Sequence, residues 1–144
     1  MKHLLILSVF LFNTAFAEIY KDYEPSEQHI QLTVVAVETN YLDDYLVNLN
    51  KTYIREMEVM KELGHIVDYG VYTSDSANSP NVWFTVTYEN MAAMQPNEEQ
   101  YKQVRKILKE RFEESEDEIV TISKSYEEIR EMVDNQIINK VNFK

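Results

Sequence analysis

Hydrophobic and polar side chains alternate along three short stretches of the chain, and this alternation predicts three β-strands. The first stretch is HIQLTVVAVE (residues 29–38), the second is IVDYGVYT (residues 66–73) and the third is NVWFTVTYEN (residues 81–90). The second and third flank the polar loop SDSANSPN, so we expect them to pair as a hairpin. Gly70, inside the second strand, indicates a bulge or a close backbone contact.

Helical spacing replaces the alternation between the first and second strands, and again after the third. Apolar residues three and four positions apart predict a helix from Tyr41 to Leu63. Asn40 is the expected N-cap of this helix, and Gly64 supplies the left-handed residue that ends it. A second helix is expected over Glu98–Glu114, where apolar residues recur at the same spacing.

The carboxy-terminal segment allows two interpretations. Its apolar spacing predicts a third helix over Asp117–Lys140, whereas the β-branched stretch IVTIS (Ile119–Ser123) allows a fourth strand in the same place. The spacing favours the helix, and the element order is then βαββα(α).

This order predicts an α+β fold of the ferredoxin-like type, with a small antiparallel sheet covered by helices on one face. The purer apolar positions are assigned to the covered face: Ile30, Leu32, Val34 and Ala36 on the first strand, and Val82, Phe84, Val86 and Tyr88 on the third. The other face then carries a mixed set of apolar and polar side chains: Thr33, Val35, Val37, Trp83, Thr85 and Thr87.

The mixed set is the candidate functional surface. An exposed, partly apolar patch on a monomer usually marks an interaction site. We therefore expect this face to pair with a second copy of the chain in a homodimer, or to enclose a pocket for a small apolar or aromatic ligand. Trp83, the single tryptophan, is expected to be an interface or pocket-wall residue rather than a catalyst.

The first seventeen residues have the three-part layout of a secretory signal peptide. MKH is basic, LLILSVFLF is apolar, and AFA (residues 15–17) is a cleavage signal. The apolar run is too short to be a membrane anchor, which needs roughly 20 residues. We expect cleavage after residue 17, a polar leader over residues 18–28, one α+β domain over residues 29–144, and a periplasmic or secreted location.

The charge of the chain limits the classes of molecule that we expect as partners. The formal net charge is −11, and the loss of Lys2 with the signal peptide takes it to −12. A strongly acidic surface repels nucleic acid and anionic membranes, so we expect neither as a partner. The chain has no cysteine, which excludes disulfides and cysteine nucleophiles.

Few side chains suggest catalysis. His29 and His65 are the histidines that follow the predicted cleavage site, and neither has metal-ligand spacing. A cation is favourable near a helix C-terminus, which gives His65 a structural explanation. Two glycines are too few for a phosphate-binding loop, and we expect no metal and no cofactor.

Ten tyrosines are the remaining supply of functional groups. Phenol groups need partners when they are buried, and they can position a small aromatic or carbonyl ligand. Packing in the core or at an interface is their expected use. The tyrosines on the predicted strands and the first helix are Tyr45, Tyr53, Tyr69, Tyr72 and Tyr88.

Three stretches carry a resemblance to a known family: KELGHI at the end of the first helix, VDYGVYTSD after it, and the returning NVWFTVTYEN. With the element order, they resemble the dimeric α+β barrel superfamily, and in particular uncharacterised exported bacterial proteins of that type. The resemblance covers about Ile30–Met94 and implies a homodimer whose facing sheets form a barrel. Members include haem-degrading monooxygenases, quinone-forming monooxygenases and lactone isomerases. Trp83 could stand for the tryptophan of the haem-degrading members, but Glu98–Glu114 lacks their histidine.

Three hypotheses for function follow. The residues favour a non-enzymatic exported homodimer that uses the mixed face as an interface or ligand pocket. The resemblance supplies the alternative of a cofactor-independent monooxygenase or isomerase for a small aromatic or carbonyl compound, with Val35, Trp83, Thr85 and tyrosines as the pocket wall. The third hypothesis is a helical adaptor that binds a partner through the apolar stripe Ile119–Ile137.

Overall fold

A computed structural model of the chain describes residues 18–75, 80–112 and 116–144. The predicted signal peptide lies outside the described residues, and so do residues 76–79 of the predicted loop and residues 113–115, which include the predicted end of the second helix. The described elements follow the predicted order, with one further strand at the carboxy-terminal end.

The described part of the chain contains one antiparallel sheet with helices packed on it. The strands are β1 (Tyr23–Val37), β2 (Asp68–Thr73), β3 (Val82–Tyr88) and β4 (Arg130–Phe143). The helices are α1 (Leu42–Leu49), α2 (Arg55–Glu62), α3 (Glu98–Arg111) and α4 (Glu116–Ile129). The strand order is β2-β3-β1-β4, and each neighbouring pair is antiparallel. This order completes a βαββαβ unit and confirms the predicted ferredoxin-like α+β fold.

The carboxy-terminal prediction was wrong beyond Ile129. Ile119–Ser123 is helical, as the favoured interpretation had it, but the chain changes to strand at Arg130 and pairs with β1 along almost its whole length. Pairing satisfies the backbone groups on the free edge of β1, which outweighs the helical spacing of a short apolar pattern. The apolar stripe of the adaptor hypothesis is therefore divided between α4 and β4, and Tyr126 within it is buried.

β1 begins at Tyr23 rather than at His29, so most of the predicted polar leader is strand. Its pairing with β3 ends at His29, yet its pairing with β4 continues outward, with Pro25 opposite Val141. The register between β1 and β4 shifts next to Pro25, which is the kind of position a strand proline tolerates. The two strands thus extend past the rest of the sheet as a two-stranded ribbon.

The predicted first helix is present, but it is not a uniform α-helix. Asn50–Ile54 form a π-helical turn between α1 and α2, a rare variant that occurs often at functional sites. Asn40 lies in the 3-10 turn Thr39–Tyr41 and does not cap the helix. Tyr41 occupies the N-cap position, without a capping side-chain hydrogen bond. Gly64 ends α2 with a φ of 71°, as predicted.

The core lies between the helices and one face of the sheet. Val35 pairs with Val82 and Thr33 pairs with Phe84, so these four residues share a face. Val35, Val82 and Phe84 are buried in one cluster with Tyr45 of α1. The α4 helix contributes to the same cluster, and α3 packs against α2.

The face assignment was therefore correct for β3 and wrong for β1. Val35 and Val37 are under the helices, and the set that begins at Ile30 and ends at Ala36 lies on the opposite face. The stretch VVAV (residues 34–37) is apolar throughout, so alternation alone does not decide which of its two sides is buried. Cross-strand pairing with β3 decides it.

Hydrogen bonds of Asn81 connect the end of β1 to the start of β3. Its side chain accepts a hydrogen bond from the backbone N–H of Val37 and donates one to the carbonyl of Val37, both at 2.8 Å. Its own backbone N–H donates to the carbonyl of Val35 at 3.2 Å. The side chain is buried, so these bonds are shielded from water.

Candidate functional site

The six residues predicted to form one surface lie on two opposite faces of the sheet. The helix-covered face carries three of them: Thr33, Val35 and Val37. The other face carries the remaining three: Trp83, Thr85 and Thr87. The pocket of the monooxygenase hypothesis, which joined residues from both sets, is consequently not formed within one chain.

The uncovered side of the sheet is a mixed apolar surface, here called the open face: Ile30, Leu32, Val34 and Ala36 of β1 with Trp83, Thr85 and Thr87 of β3. Tyr72 extends it onto β2, opposite Trp83, with 58% of its surface exposed. A Cβ added at Gly70 would lie 2.7 Å from the Tyr72 hydroxyl oxygen. The register of β2 with β3 is continuous, so the glycine marks a close side-chain contact and not a bulge.

A cleft of about 530 Å3 lies on the covered side, between the sheet and the helices. We call it the helix-side cleft, and its volume is within the usual range for small-molecule sites. Thr33 and Val35 are the predicted site residues that line it. The other lining residues are Gln31, Leu49, Tyr53, Glu56, Met57, Met60, Phe84, Val86, Tyr88, Ser123, Tyr126, Arg130 and Met132.

Tyr53 is part of the wall of this cleft, and its hydroxyl oxygen is enclosed by the protein. Its hydroxyl is buried and has no hydrogen-bond partner among the described residues. The ring is held edge-on against Phe84, with centroids 5.0 Å apart, and against Tyr69, with centroids 6.5 Å apart. Burial, together with neighbouring phenol and carboxyl groups, raises the pKa of Tyr53, so the hydroxyl keeps its proton at neutral pH.

Glu56, one helical turn after Tyr53, brings a carboxyl group into the same wall. Burial raises the pKa of Glu56 above its ordinary value, and the charge of Arg105 offsets part of that rise. The carboxyl group therefore holds its proton to a higher pH than an exposed glutamate would.

Arg130 lines the cleft and contacts two phenol rings. Its guanidinium donates a hydrogen bond to the Tyr45 hydroxyl at 2.8 Å and lies 4.9 Å from the centroid of the Tyr126 ring. The Tyr126 hydroxyl lies 3.0 Å from the Thr52 hydroxyl. Tyr45 and Tyr126 thus have the partners that Tyr53 lacks.

The histidines lie away from the helix-side cleft. The Nδ1 atom of His29 is 2.9 Å from the carbonyl of Glu27, on its own strand. His65 follows the Gly64 turn, and its backbone N–H donates to the carbonyl of Met60 at 2.9 Å. Its buried Nδ1 has no partner in the described structure, and the residue borders a neighbouring cavity of about 200 Å3.

The described residues contain neither a cluster of metal ligands nor a membrane-spanning helix. Among residues 18–75, 80–112 and 116–144, no three acidic or histidine side chains come together as a set of metal ligands. No helix within those ranges is both long enough and apolar enough to cross a membrane.

Tyr53 was predicted only as one of several tyrosines, and neither Glu56 nor Arg130 was predicted as a site residue. A signal for Glu56 was available, because residues 53, 56 and 60 lie on one side of a helix at three- and four-residue spacing. An acidic residue at such a position, next to an apolar stripe, is a candidate for a buried carboxyl group. No sequence pattern indicated Arg130, because its position depends on the change from α4 to β4 at that residue.

No family model matches the chain, and no similar curated protein was found. Among solved structures, it is similar to the crystal structure of a dimeric ferredoxin-like protein from an uncultured marine organism. The two share 11% sequence identity over 82% of this chain and 90% of that chain, with a TM-score of 0.43. The ferredoxin-like assignment of this chain rests on its own strand order and pairing.

Proposed function

We propose that this protein is an exported, non-enzymatic binding domain that holds a small, largely apolar ligand in the helix-side cleft and pairs as a homodimer through its open face. The observation that carries the binding proposal is the helix-side cleft itself, which has a volume of about 530 Å3 and a largely apolar and aromatic lining. A ligand that fills such a cleft removes apolar surface, its own and that of the lining residues, from water.

The composition of the cleft supports binding over catalysis. Its described lining is dominated by apolar and aromatic side chains, with a few polar groups among them, as is usual for sites that hold small molecules. Neither a histidine nor a cysteine is among the residues that line it. A nucleophile paired with an oriented base is therefore not assembled from the lining residues described here.

A pair of matched threonine substitutions tests where a ligand binds. Thr33 lines the cleft and Thr85 lies on the open face. We expect the neutral fluorescent probe N-phenyl-1-naphthylamine to bind the purified protein saturably, Thr33→Trp to abolish this binding by filling the cleft, and Thr85→Trp to leave it intact. Fluorescence titration measures the three affinities, and circular dichroism checks the folding of each variant.

The reverse result would contradict the proposal. If Thr85→Trp abolished probe binding and Thr33→Trp did not, the ligand would bind at the open face. Absence of saturable binding to the unsubstituted protein would remove the case for a cleft ligand.

The homodimer proposal rests on the composition of the open face. Its seven residues on β1 and β3 are uncharged in a chain of net charge −11, and they include Leu32, Val34 and Trp83. Burying such a surface against a second copy removes apolar area from water. Asp134 of β4 pairs with Val34 and Asp68 of β2 pairs with Thr87, so the carboxylates on this side belong to the two edge strands, where they can stay in water at the rim of the interface. A face-to-face pair also shields the single tryptophan.

Analytical ultracentrifugation tests the homodimer. We expect the protein to sediment as a dimer, Leu32→Glu to sediment as a monomer, and Tyr101→Glu, at an α3 position that is 64% exposed, to stay dimeric. Trp83 emission should shift to longer wavelength in Leu32→Glu, because water reaches the ring. A monomeric wild-type protein would refute this part of the proposal.

Export is proposed from the signal-peptide layout of residues 1–17. Amino-terminal sequencing of the protein from the periplasmic or culture fraction of a bacterial host should give EIYKD, beginning at Glu18. Full-length protein confined to the cytoplasm would contradict it.

A further inference from the structure

We propose that the outer edge of β4 pairs with the same edge of a second copy of the chain, as antiparallel strands in a register centred on Ile137. This edge contact is separate from the proposed open-face homodimer and does not depend on it. It rests on three features of β4: an uncovered edge, a self-complementary sequence and a balanced charge.

The outer edge of β4 is long and uncovered by any described strand. In the described sheet β4 pairs with β1 on one side, and the strand order places no strand on its other side. The backbone N–H of Asn135 donates to the Asp134 side chain at 2.8 Å, which indicates that it points away from β1. Backbone groups alternate along a strand, so Ile137 and Asn139 also direct theirs outward. An edge strand of 14 residues is a template for pairing with another chain.

The stretch DNQIINK (residues 134–140) is complementary to itself in antiparallel pairing. With Ile137 opposite its own copy, Asp134 lies opposite Lys140 at both ends of the stretch. The intervening pairs are Asn135 with Asn139 and Gln136 with Ile138. Cross-strand pairs of opposite charge stabilise a sheet, and so do pairs of β-branched side chains. A shift of one residue in either direction separates Asp134 from Lys140, so the charges select this register.

The charge of β4 differs from that of the whole chain. Its basic residues are Arg130 and Lys140, and its acidic residues are Glu131 and Asp134, so the strand has no net charge in a chain of net charge −11. Two copies can therefore approach through β4 with little of the repulsion between their net charges. Ile137, at the centre of the stretch, is 48% exposed, and pairing removes part of this apolar surface from water.

The edge contact and the open-face contact can form together. Antiparallel pairing of identical strands within one sheet requires a twofold axis perpendicular to the sheet, which leaves both open faces on the same side. Two open-face dimers can consequently join through β4. The edge contact is short and largely polar, so we expect it to be the weaker of the two. Dilute protein then stays in the open-face dimer, and the edge contact forms as the protein concentration rises.

Disulfide cross-linking tests the register, since the chain has no cysteine of its own. In the paired edge, the Cα atoms of residue 137 in the two copies lie about 5.5 Å apart, which a disulfide can span. Asn135 is also exposed and lies on the same face of β4, but its two copies are about 13 Å apart, because each lies four residues from its own copy. We expect concentrated Ile137→Cys to cross-link roughly tenfold faster than Asn135→Cys under mild oxidation. A mixture of Asn135→Cys and Asn139→Cys should form the mixed pair.

Charge reversal tests the pairing at the ends of the stretch. Asp134→Lys and Lys140→Glu each place like charges opposite one another at two symmetric positions. In the Ile137→Cys protein, either reversal should slow cross-linking by roughly three- to tenfold. The two reversals together restore opposite charges and should restore the rate. Circular dichroism checks the folding of each variant.

The outcomes distinguish this inference from the proposed homodimer. Ile137 pairs with Gln31 and lies on the face opposite to the open face, so cross-linking should persist when Leu32→Glu is added. Its loss in Leu32→Glu would overturn the inference, as would equal rates for Ile137→Cys and Asn135→Cys or charge reversals without effect. If the wild type sedimented as a monomer while the register-specific cross-link still formed, the open-face homodimer would fail and the edge contact would stand.

Discussion

Three tyrosines near the core allow one substitution, tyrosine to phenylalanine, to be compared in three hydrogen-bonding situations. The Tyr53 hydroxyl has no partner among the described residues. The Tyr126 hydroxyl lies 3.0 Å from the Thr52 hydroxyl, and the Tyr45 hydroxyl accepts a hydrogen bond from Arg130 at 2.8 Å. Each substitution removes one oxygen atom and keeps the ring, so the comparison isolates the hydrogen bond.

The three effects on the free energy of unfolding should differ in sign and size. A buried polar group without a partner destabilises by about 1–3 kcal/mol, and the Tyr53 residue as a whole is only partly buried, so we take the lower end. Tyr53→Phe should therefore stabilise the fold by about 1 kcal/mol. Tyr126→Phe should destabilise it by about 1 kcal/mol, and Tyr45→Phe, which loses a bond to a charged group, by about 2 kcal/mol.

Urea unfolding monitored by Trp83 fluorescence measures these differences. Trp83 lies on the opposite face of the sheet, so the substitutions leave its surroundings unchanged in the folded state. All variants are compared at one protein concentration, because association of two copies would make stability depend on concentration. Loss of stability in Tyr53→Phe equal to that in Tyr126→Phe would show that the Tyr53 hydroxyl has a partner in solution and would refute the reasoning.

Three further predictions follow from single residues. Asn81→Ala leaves the backbone N–H and carbonyl of Val37 without their buried partner. Urea unfolding should therefore show a free energy of unfolding lower by about 2–4 kcal/mol, and a decrease below about 1 kcal/mol would contradict the geometry. Burial raises the folded-state pKa of Glu56, so the folded protein gains stability as pH falls through that pKa towards the ordinary 4.5. Glu56→Gln should consequently be more stable than wild type at neutral pH, and thermal melts at lower pH should show a smaller difference in stability. A difference that stayed constant with pH would exclude the Glu56 carboxyl group as its cause. Gly64→Ala places a side chain at a φ of 71° and should cost about 1 kcal/mol in urea unfolding, although no atom lies within 4 Å of the new Cβ.

The fold class was predictable because its strongest patterns are local. The alternation in NVWFTVTYEN, the long amphipathic segment before Gly64 and the hairpin loop each identify one element, and their order leaves few topologies. β4 was missed because Met132, Val133 and Ile137 fit a helical period as well as a strand. Its true structure depends on the free edge of β1, which lies about a hundred residues earlier in the chain.

The candidate site was less predictable than the fold. The buried face of β3 was predicted correctly and that of β1 was not. The predicted functional surface therefore combined residues from opposite sides of the sheet, and it does not exist as one piece. The helix-side cleft joins residues from β1, β3, α1, the π-helical turn, α2, α4 and the start of β4, and no sequence spacing links Tyr53 to Arg130. A missing hydrogen-bond partner, which is the most informative property of Tyr53, becomes visible only when its neighbours are in place.

The π-helical turn Asn50–Ile54 also determines which way the second half of the long helical segment faces. An α-helix advances about 100° per residue, so each four-residue step from Leu49 to Tyr53 to Met57 would rotate the side chain by about 40° away from the sheet. A wider turn absorbs this rotation and lets all three residues line the same cleft. Deleting one residue from the turn would regularise the helix and swing α2 by about 100° relative to α1. A single-residue deletion here would therefore disrupt the cleft while leaving the helical content almost unchanged.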